Sequence, residues 1–320
     1  MPNSSSMKFT IAIHGGAGTI LKSEMTPELE RDYREGLRLA LHTGYTMLEK
    51  GGAAIDAAIA ATVILEDNIL FNAGRGSVFT KTGIHEMDAS VMDGSDLAAG
   101  AVCGIQNVRN PVKLAAAVMR NSDHVILSGE GATDFATTQN IQFEPDEYFF
   151  SQFRYDQWQA IRHSDDYALD HSAQLESNEF PDKKFGTVGA VACDKQGNIA
   201  AATSTGGMTN KNYGRIGDTP LIGCGTYANN KTCAISCTGH GELFIKAVAA
   251  YDVSCLMEYG NLSLHDAMNT VVNQKLVAIG GEGGIIGVDA QGNFALLFNS
   301  EGMYRGVKTS DGCEQVAIYR

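Results

Sequence analysis

A polar stretch of about twenty residues, His163 to Lys184, carries no hydrophobic period and runs straight into Phe185-Gly186-Thr187-Val188-Gly189-Ala190-Val191-Ala192. The first part of the stretch is acidic, and it reads as a surface linker longer than a compact domain usually tolerates without a reason. The segment after it is a strand of small and β-branched residues, which packs only where neighbouring backbones come close. Such a junction splits the chain into a half that mixes helices with strands and a half rich in strands.

Before the junction, Lys8–Ile13 reads as a strand ended by His14-Gly-Gly-Ala-Gly18. Thr26 and Pro27 are start signals for a helix whose apolar positions include Tyr33, Leu37, Leu41 and Leu48. Ala53–Leu65 is nearly free of charge, as a helix buried on most sides would be. Strands are expected at Gly76–Thr80, Glu86–Met92, Ala98–Ile105 and His124–Ser128, with helices at Val112–Met119 and Phe149–Arg162. After it, Thr187–Cys193 and Ile199–Thr205 flank a hairpin turn, as do Ile285–Asp289 and Phe294–Phe298. Leu221–Tyr227 and Thr232–Cys237 are further strands. Glu242–Tyr259 reads as one long helix, and Ser263 with Asp266 opens another to about Ala278. Thirty-six glycines against six prolines suit tight turns between strands. Strands and helices in clusters suggest an α+β chain of sheets packed on sheets with helices outside.

Charge and cysteine usage narrow the function. With 24 basic and 37 acidic side chains the net charge is −13, the wrong sign for a general nucleic-acid binder or for docking on anionic membranes. No apolar run approaches the roughly 18–20 residues of a membrane helix. The opening Met1-Pro-Asn-Ser-Ser-Ser lacks the pattern of a secretory signal, and Met7 is an alternative start. Seven cysteines without a C-x-x-C pair fit buried thiols in a cytoplasmic protein better than disulfides or a zinc site.

The Gly186-Thr187 bond is where chemistry is expected. Glycine lets the backbone strain there, and the threonine hydroxyl lies beside the preceding carbonyl. Attack on that carbonyl would cut the chain and free the Thr187 α-amine. Such an amine titrates at about 7.7–8.0 and can serve as the hydroxyl's own base. Downstream, Arg215 and Asp218 stand three apart in Gly214-Arg-Ile-Gly-Asp-Thr-Pro220. Arginine offers a forked donor to a carboxylate and aspartate pairs with an ammonium; a plain surface ion pair is the alternative. Ser236-Cys-Thr-Gly-His-Gly-Glu242 closes a strand and opens a helix. Thr238 with a glycine amide there is suited to hold an oxyanion, or Thr238 simply caps the helix. His240 reads as a polar loop residue rather than a base.

These segments together resemble the plant-type L-asparaginases, also called isoaspartyl peptidases. The resemblance is carried by Thr187 in its small-residue strand, Thr203-Ser-Thr-Gly-Gly-Met-Thr-Asn210, Gly214–Pro220, Thr238–Glu242, His14–Gly18 and Leu70-Phe-Asn-Ala-Gly-Arg-Gly-Ser-Val-Phe79. It runs in order over nearly the whole chain. It implies an N-terminal-nucleophile hydrolase with a four-layer αββα sandwich in a single domain, residues 1–320. The precursor would cut itself between Gly186 and Thr187 into an α segment, 1–186 with a linker at about 163–186, and a β segment, 187–320. Two αβ units would associate as a homodimer.

The resemblance further makes Thr187 the nucleophile and Thr205 its hydrogen-bonding partner. Arg215 would take the substrate α-carboxylate and Asp218 the α-amine. The Thr238 hydroxyl and Gly239 amide would form the oxyanion hole, with Gly241 and Asn72 also at the substrate. The substrates would be small molecules, L-asparagine and β-aspartyl dipeptides. No catalytic cofactor is implied. A structural sodium is, on the main-chain carbonyls of Leu65, Glu66, Asn68, Phe71, Ala73 and Arg75. Gly186 stands where the glycosylasparaginase and threonine aspartase branches usually carry Asp, which favours the asparaginase branch. Cys224 and Arg75 depart from common family residues without evident catalytic meaning. Two rival readings are a dinucleotide module at Gly223-Cys-Gly-Thr-Tyr-Ala228, which would need a following helix, and an unprocessed binding protein without activity.

Overall fold

A computed structural model describes residues 8–20, 22–163 and 184–320. The expected linker falls almost wholly outside the described residues.

Among the described residues thirteen strands form two sheets. The larger begins with β1 (Thr10–Gly18), β2 (Met87–Asp93), β3 (Ala99–Ile105) and β4 (Ile126–Ser128) from before the Gly186-Thr187 bond. From the same side comes β5 (Lys184–Phe185), which pairs with β1. Beyond the bond it takes β6 (Val188–Cys193), β7 (Ile199–Thr205), β12 (Gly302–Thr309) and β13 (Glu314–Tyr319). Its order is β13-β12-β1-β6-β7-β2-β3-β4, antiparallel except for β3 with β4. The smaller sheet, in the order β11-β10-β9-β8, holds β8 (Thr226–Ala228), β9 (Cys233–Gly239), β10 (Gly283–Asp289) and β11 (Phe294–Phe298).

Alternation along each strand sorts the side chains into layers. Ile11 and Ile13 of β1, Ala190 and Ala192 of β6 and Ala200 and Ala202 of β7 face α1 (Pro27–Glu49), α2 (Ala54–Glu66) and α3 (Pro111–Asn121). Their alternates Ala12, Val191, Cys193, Ile199 and Ala201 meet Ala234, Ile286 and Val288 of the smaller sheet. The other face of that sheet, with Cys233, Ile235 and Cys237, packs on α8 (Ala249–Glu258) and α9 (Leu264–Thr270). Cys233 and Cys237 thus share one strand face as buried thiols, and all seven cysteines are free.

Local signals explain two of the helix starts. Thr26 accepts the Leu29 N–H at the start of α1, and Ser263 accepts that of Asp266 at the start of α9. Elsewhere the structure corrects the expectation. β1 continues through His14-Gly-Gly-Ala-Gly18, with Gly16 at φ 114°. Gly76–Thr80 is not a strand: a single tight turn, Gly74–Gly76, leads into irregular backbone. Only Thr226–Ala228 of Leu221–Tyr227 is extended. Glu242–Tyr259 is two helices, α7 (Gly241–Ala247) and α8, broken where Val248 turns left-handed at φ 48°, ψ 47°. The helix after Ser263 widens from α9 into a π-helical turn, Val271–Leu276. α4 (Gly129–Thr138), β12 and β13 were not expected, while α5 (Asp146–Phe149) and α6 (Gln152–Ile161) divide the helix expected at Phe149–Arg162.

Candidate active site

The apolar filling between the sheets gives way to polar side chains at one end. The same alternation that places Ala12, Ala201 and Ala234 in that layer places His14, Thr203, Thr205, Ser236 and Thr238 there too. Ser204 and Cys237, one residue off, point away. The hydroxyl cluster is therefore a consequence of strand register.

The Gly186-Thr187 bond lies in a gap of the β1 ladder. Ala17 pairs with Phe185 of β5 and His14 with Gly189 of β6, so Gly186 to Val188 stand out of register opposite Gly15 and Gly16. Asn72 presses on this bulge: a Cβ on Gly186 would lie 2.0 Å from the Asn72 Cβ. Asn72 is itself clamped, its Nδ2 donating to the Gly207 carbonyl at 2.7 Å and its Oδ1 accepting the Val78 N–H at 3.0 Å. Glycine at 186 is thus required by space.

Thr187, 8% exposed, donates from Oγ1 to Thr205 Oγ1 at 3.1 Å. Thr205 in turn donates to the Gly186 carbonyl at 2.7 Å and accepts the Gly207 N–H at 3.0 Å. One hydroxyl therefore touches both the Thr187 side-chain oxygen and the Gly186 carbonyl oxygen. Thr238 caps no helix. It sits near the end of β9, where its hydroxyl accepts the Ala17 N–H at 3.3 Å, opposite Phe185. Gly239 follows at φ 151°, with no room for a Cβ against the Glu282 carbonyl.

Arg215, Asp218 and Gly241 form a second group. A Cβ on Gly241 would lie 2.9 Å from both Arg215 Nη2 and Asp218 Oδ1, so this glycine is the floor between the two charges. Arg215 holds Glu242 through Nε and Nη2, at 2.8 and 2.9 Å. That side-on grip leaves the Nη1 edge for a second carboxylate. Burial pulls the Glu242 carboxyl upward, but the hydrogen bond and charge of Arg215 outweigh it and leave it below the usual range. Asp218 is 5% exposed, and burial pushes its carboxyl up to about 7. Its Oδ2 is buried without a hydrogen-bond partner, as a site awaiting a cation would be. His240 lies 3.5 Å from Glu242.

The two groups adjoin through Asp88, which pairs with Thr205 across β2 and β7 and whose charge is felt by Asp218. Sequence reasoning gave no role to Asp88, to Glu242, or to Lys211, a buried lysine donating to the Glu86 carbonyl at 2.7 Å. His14 and Ser236 were read only as parts of motifs. The signal available for His14 was a histidine inside an otherwise apolar strand.

The carbonyl-bearing loop from Leu65 to Arg75 is a run of tight turns: Asn68, Phe71 and Ala73 N–H groups fold back on the carbonyls of Leu65, Asn68 and Phe71. Gly74, at φ 52°, lies over the Glu66 carbonyl. Arg154 pins the loop by donating to the Gly76 and Leu70 carbonyls. Among the described residues no group of three or more His, Cys, Asp or Glu is placed to hold a metal ion.

The asparaginase family model matches residues 7–318. The chain belongs to the asparaginase family. It is 52% identical over 314 residues to the isoaspartyl peptidase of Salmonella typhimurium, covering 98% of this chain and 99% of the relative. It is 42% identical over 298 residues to an isoaspartyl peptidase/L-asparaginase of Xenopus laevis, covering 93% and 91%. To a plant-type L-asparaginase of Pyrococcus furiosus it is 42% identical over 299 residues, covering 92% and 94%. The dinucleotide reading falls away, because Gly223–Ala228 leads into β8 and then β9 rather than a helix. Among the described residues no helix is long and apolar enough to cross a membrane.

Proposed function

We propose that this asparaginase-family chain is a threonine hydrolase that cuts itself between Gly186 and Thr187, then hydrolyses L-asparagine and the β-aspartyl bond of isoaspartyl dipeptides. The observation that carries this is the hydrogen-bonded line Thr187 Oγ1–Thr205 Oγ1–Gly186 carbonyl at a bulged, glycine-only junction. In self-cleavage the Thr187 oxygen attacks the Gly186 carbonyl carbon while the Thr205 hydroxyl draws off its charge. The C–N bond breaks, the acyl group passes to oxygen as an ester, and nitrogen gains a proton. Water then hydrolyses the ester, leaving the Gly186 carboxylate and a free Thr187 amine.

That amine, an α-amino group of the kind that ordinarily titrates at about 7.7–8.0, takes the hydroxyl proton for each turnover. Thr187 attacks the side-chain carbonyl of the aspartyl group, and the Thr238 hydroxyl and Gly239 amide receive the oxyanion. Ammonia or an amino acid leaves with the proton, and water releases aspartate. Arg215 holds the α-carboxylate on its free edge and Asp218 the α-ammonium, over Gly241. Ordinary peptide bonds are refused because their aspartyl α-carboxylate is already consumed.

The wider reading is a four-layer αββα sandwich of the N-terminal-nucleophile type in one domain. It is supported by the three apolar layers, helix on sheet, sheet on sheet and sheet on helix. Association of two αβ units rests on the family likeness, and a cytoplasmic home is in keeping with seven free thiols. The loop of main-chain carbonyls at Leu65, Glu66, Asn68, Phe71, Ala73 and Arg75 suits a hard monovalent cation such as sodium, which would hold the loop and take no part in the reaction. Intact mass under denaturing conditions tests the core claim. Two fragments, 1–186 and 187–320, are expected from the native sequence and one whole chain from Thr187→Ala. A native chain that stays whole at neutral pH overturns it.

A further inference from the structure

Behind Thr187 runs a buried line of hydrogen bonds that the reaction above does not use. His14 Nδ1 lies 3.0 Å from the Thr187 carbonyl and Nε2 lies 2.8 Å from Ser236 Oγ. Ser236 is 2.7 Å from Thr203, and Thr226 donates to Thr203 at 2.5 Å. Ser90 reaches Thr226 at 2.8 Å and the Thr219 carbonyl at 2.6 Å. His14, Ser90, Thr203, Thr226 and Ser236 are all fully buried. Glycine is again required beside them: a Cβ on Gly189 would lie 2.0 Å from Ser236 Oγ and 2.6 Å from His14 Nε2.

The direction of the protons from His14 to Thr226 follows from the first bond. A carbonyl only accepts, so His14 Nδ1 carries the hydrogen. Burial pulls the imidazole down to about 3, so it is neutral and Nε2 is bare. Ser236 must then give its proton to Nε2, and its oxygen is left to accept from Thr203, which accepts from Thr226. The line crosses between the sheets at each step from His14 to Ser90 and ends on Thr219, next to Asp218.

We infer that His14, an Nδ1–H tautomer set by the Thr187 carbonyl and anchored at Nε2 by Ser236, is a positioning residue for Thr187. It fixes the Thr187 carbonyl, and with it the amine and hydroxyl on the same Cα, relative to the loop that holds the substrate's α-groups. This rests on Thr187 being the nucleophile.

The test combines nitrogen-15 NMR of the histidine rings at pH 7 with kinetics of the self-cleaved enzyme. Histidine 14 is assigned by the signal missing from His14→Asn, and each variant's fold is checked by circular dichroism. The native enzyme is expected to show a neutral Nδ1–H ring. Ser236→Ala, which removes the hydroxyl that anchors the ring at Nε2, is expected to lower kcat tenfold or more with KM changed less than twofold. Ser236→Cys, a weaker donor of similar size, is expected to fall between. An Nε2–H signal in the native enzyme overturns the inference, as does native kcat in Ser236→Ala or a loss that falls on KM. If the native chain never cuts itself, the Thr187 reading fails instead. The ring signal of the uncut chain then decides the tautomer alone, Nε2–H again overturning it.

Discussion

The Thr205 hydroxyl receives hydrogen bonds from Thr187 Oγ1 and the Gly207 N–H and spends its only proton on the Gly186 carbonyl. Removing a donor aimed at a developing oxyanion typically costs about 10²–10³ in rate. Thr205→Ala is therefore expected to slow self-cleavage about a hundredfold, measured as the half-life of the intact chain on a denaturing gel. Thr205→Ser should restore most of the rate, and an unchanged half-life in the alanine variant would remove Thr205 from the mechanism. Asp218 sets a second expectation. Its carboxyl, raised to about 7 by burial, is increasingly protonated in the free enzyme below that pH, yet must be ionised to hold an ammonium. Apparent KM should accordingly rise about tenfold for each pH unit below 7, separately from the fall in kcat that protonation of the Thr187 amine causes. The opposite sign, tighter binding in acid, would place the substrate amine elsewhere.

At the scale of elements, legibility followed how local the cause was. Caps at Thr26 and Ser263, and the small-residue hairpin β6–β7, depend on neighbours in sequence and were readable there. The set Thr187, Thr205, Thr238, Arg215 and Asp218 was legible mainly as motifs. Strand register brings the three threonines to one end of the inter-sheet layer, and Gly241 brings Arg215 to Asp218. What stayed hidden depends on contacts far apart in the chain. Ser236 meets His14 across 222 residues, and Glu242 meets Arg215 only because α7 begins beside the loop. The break at Val248 was hidden for another reason: nothing in Ile245-Lys-Ala-Val-Ala-Ala250 interrupts a helical pattern. A β-branched residue held left-handed and 42% exposed carries strain of about 1–2 kcal/mol. Val248→Gly is thus expected to stabilise the protein by about 1 kcal/mol and to raise Tm by about 2 °C in a thermal melt. A fall in Tm would mean that the valine's contacts outweigh its backbone strain.

For the molecule as a whole, the order of strands in the larger sheet decides what a cut at Gly186 can do. β12 and β13, from after the bond, flank β1 from before it; β6 and β7, from after it, lie between β1 and β2. Three ladders, β12 with β1, β1 with β6 and β7 with β2, therefore join the two segments, and α2 packs on β6 and β7 from the other side. The segments share one hydrophobic core, so neither can leave without exposing Ile11, Ile13, Val188, Ala190 and Ala202 together. Breaking the backbone removes none of these contacts and adds a charged terminus at a bulge that was already out of register. The self-cleaved protein is expected to elute from a sizing column at the position of the uncut Thr187→Ala chain. Its two fragments should separate only in denaturant, their summed mass exceeding the intact chain by one water. Fragments that part in native buffer would show that the interleaved ladders do not hold the cut molecule together, and that the Thr187 site is lost when it is made.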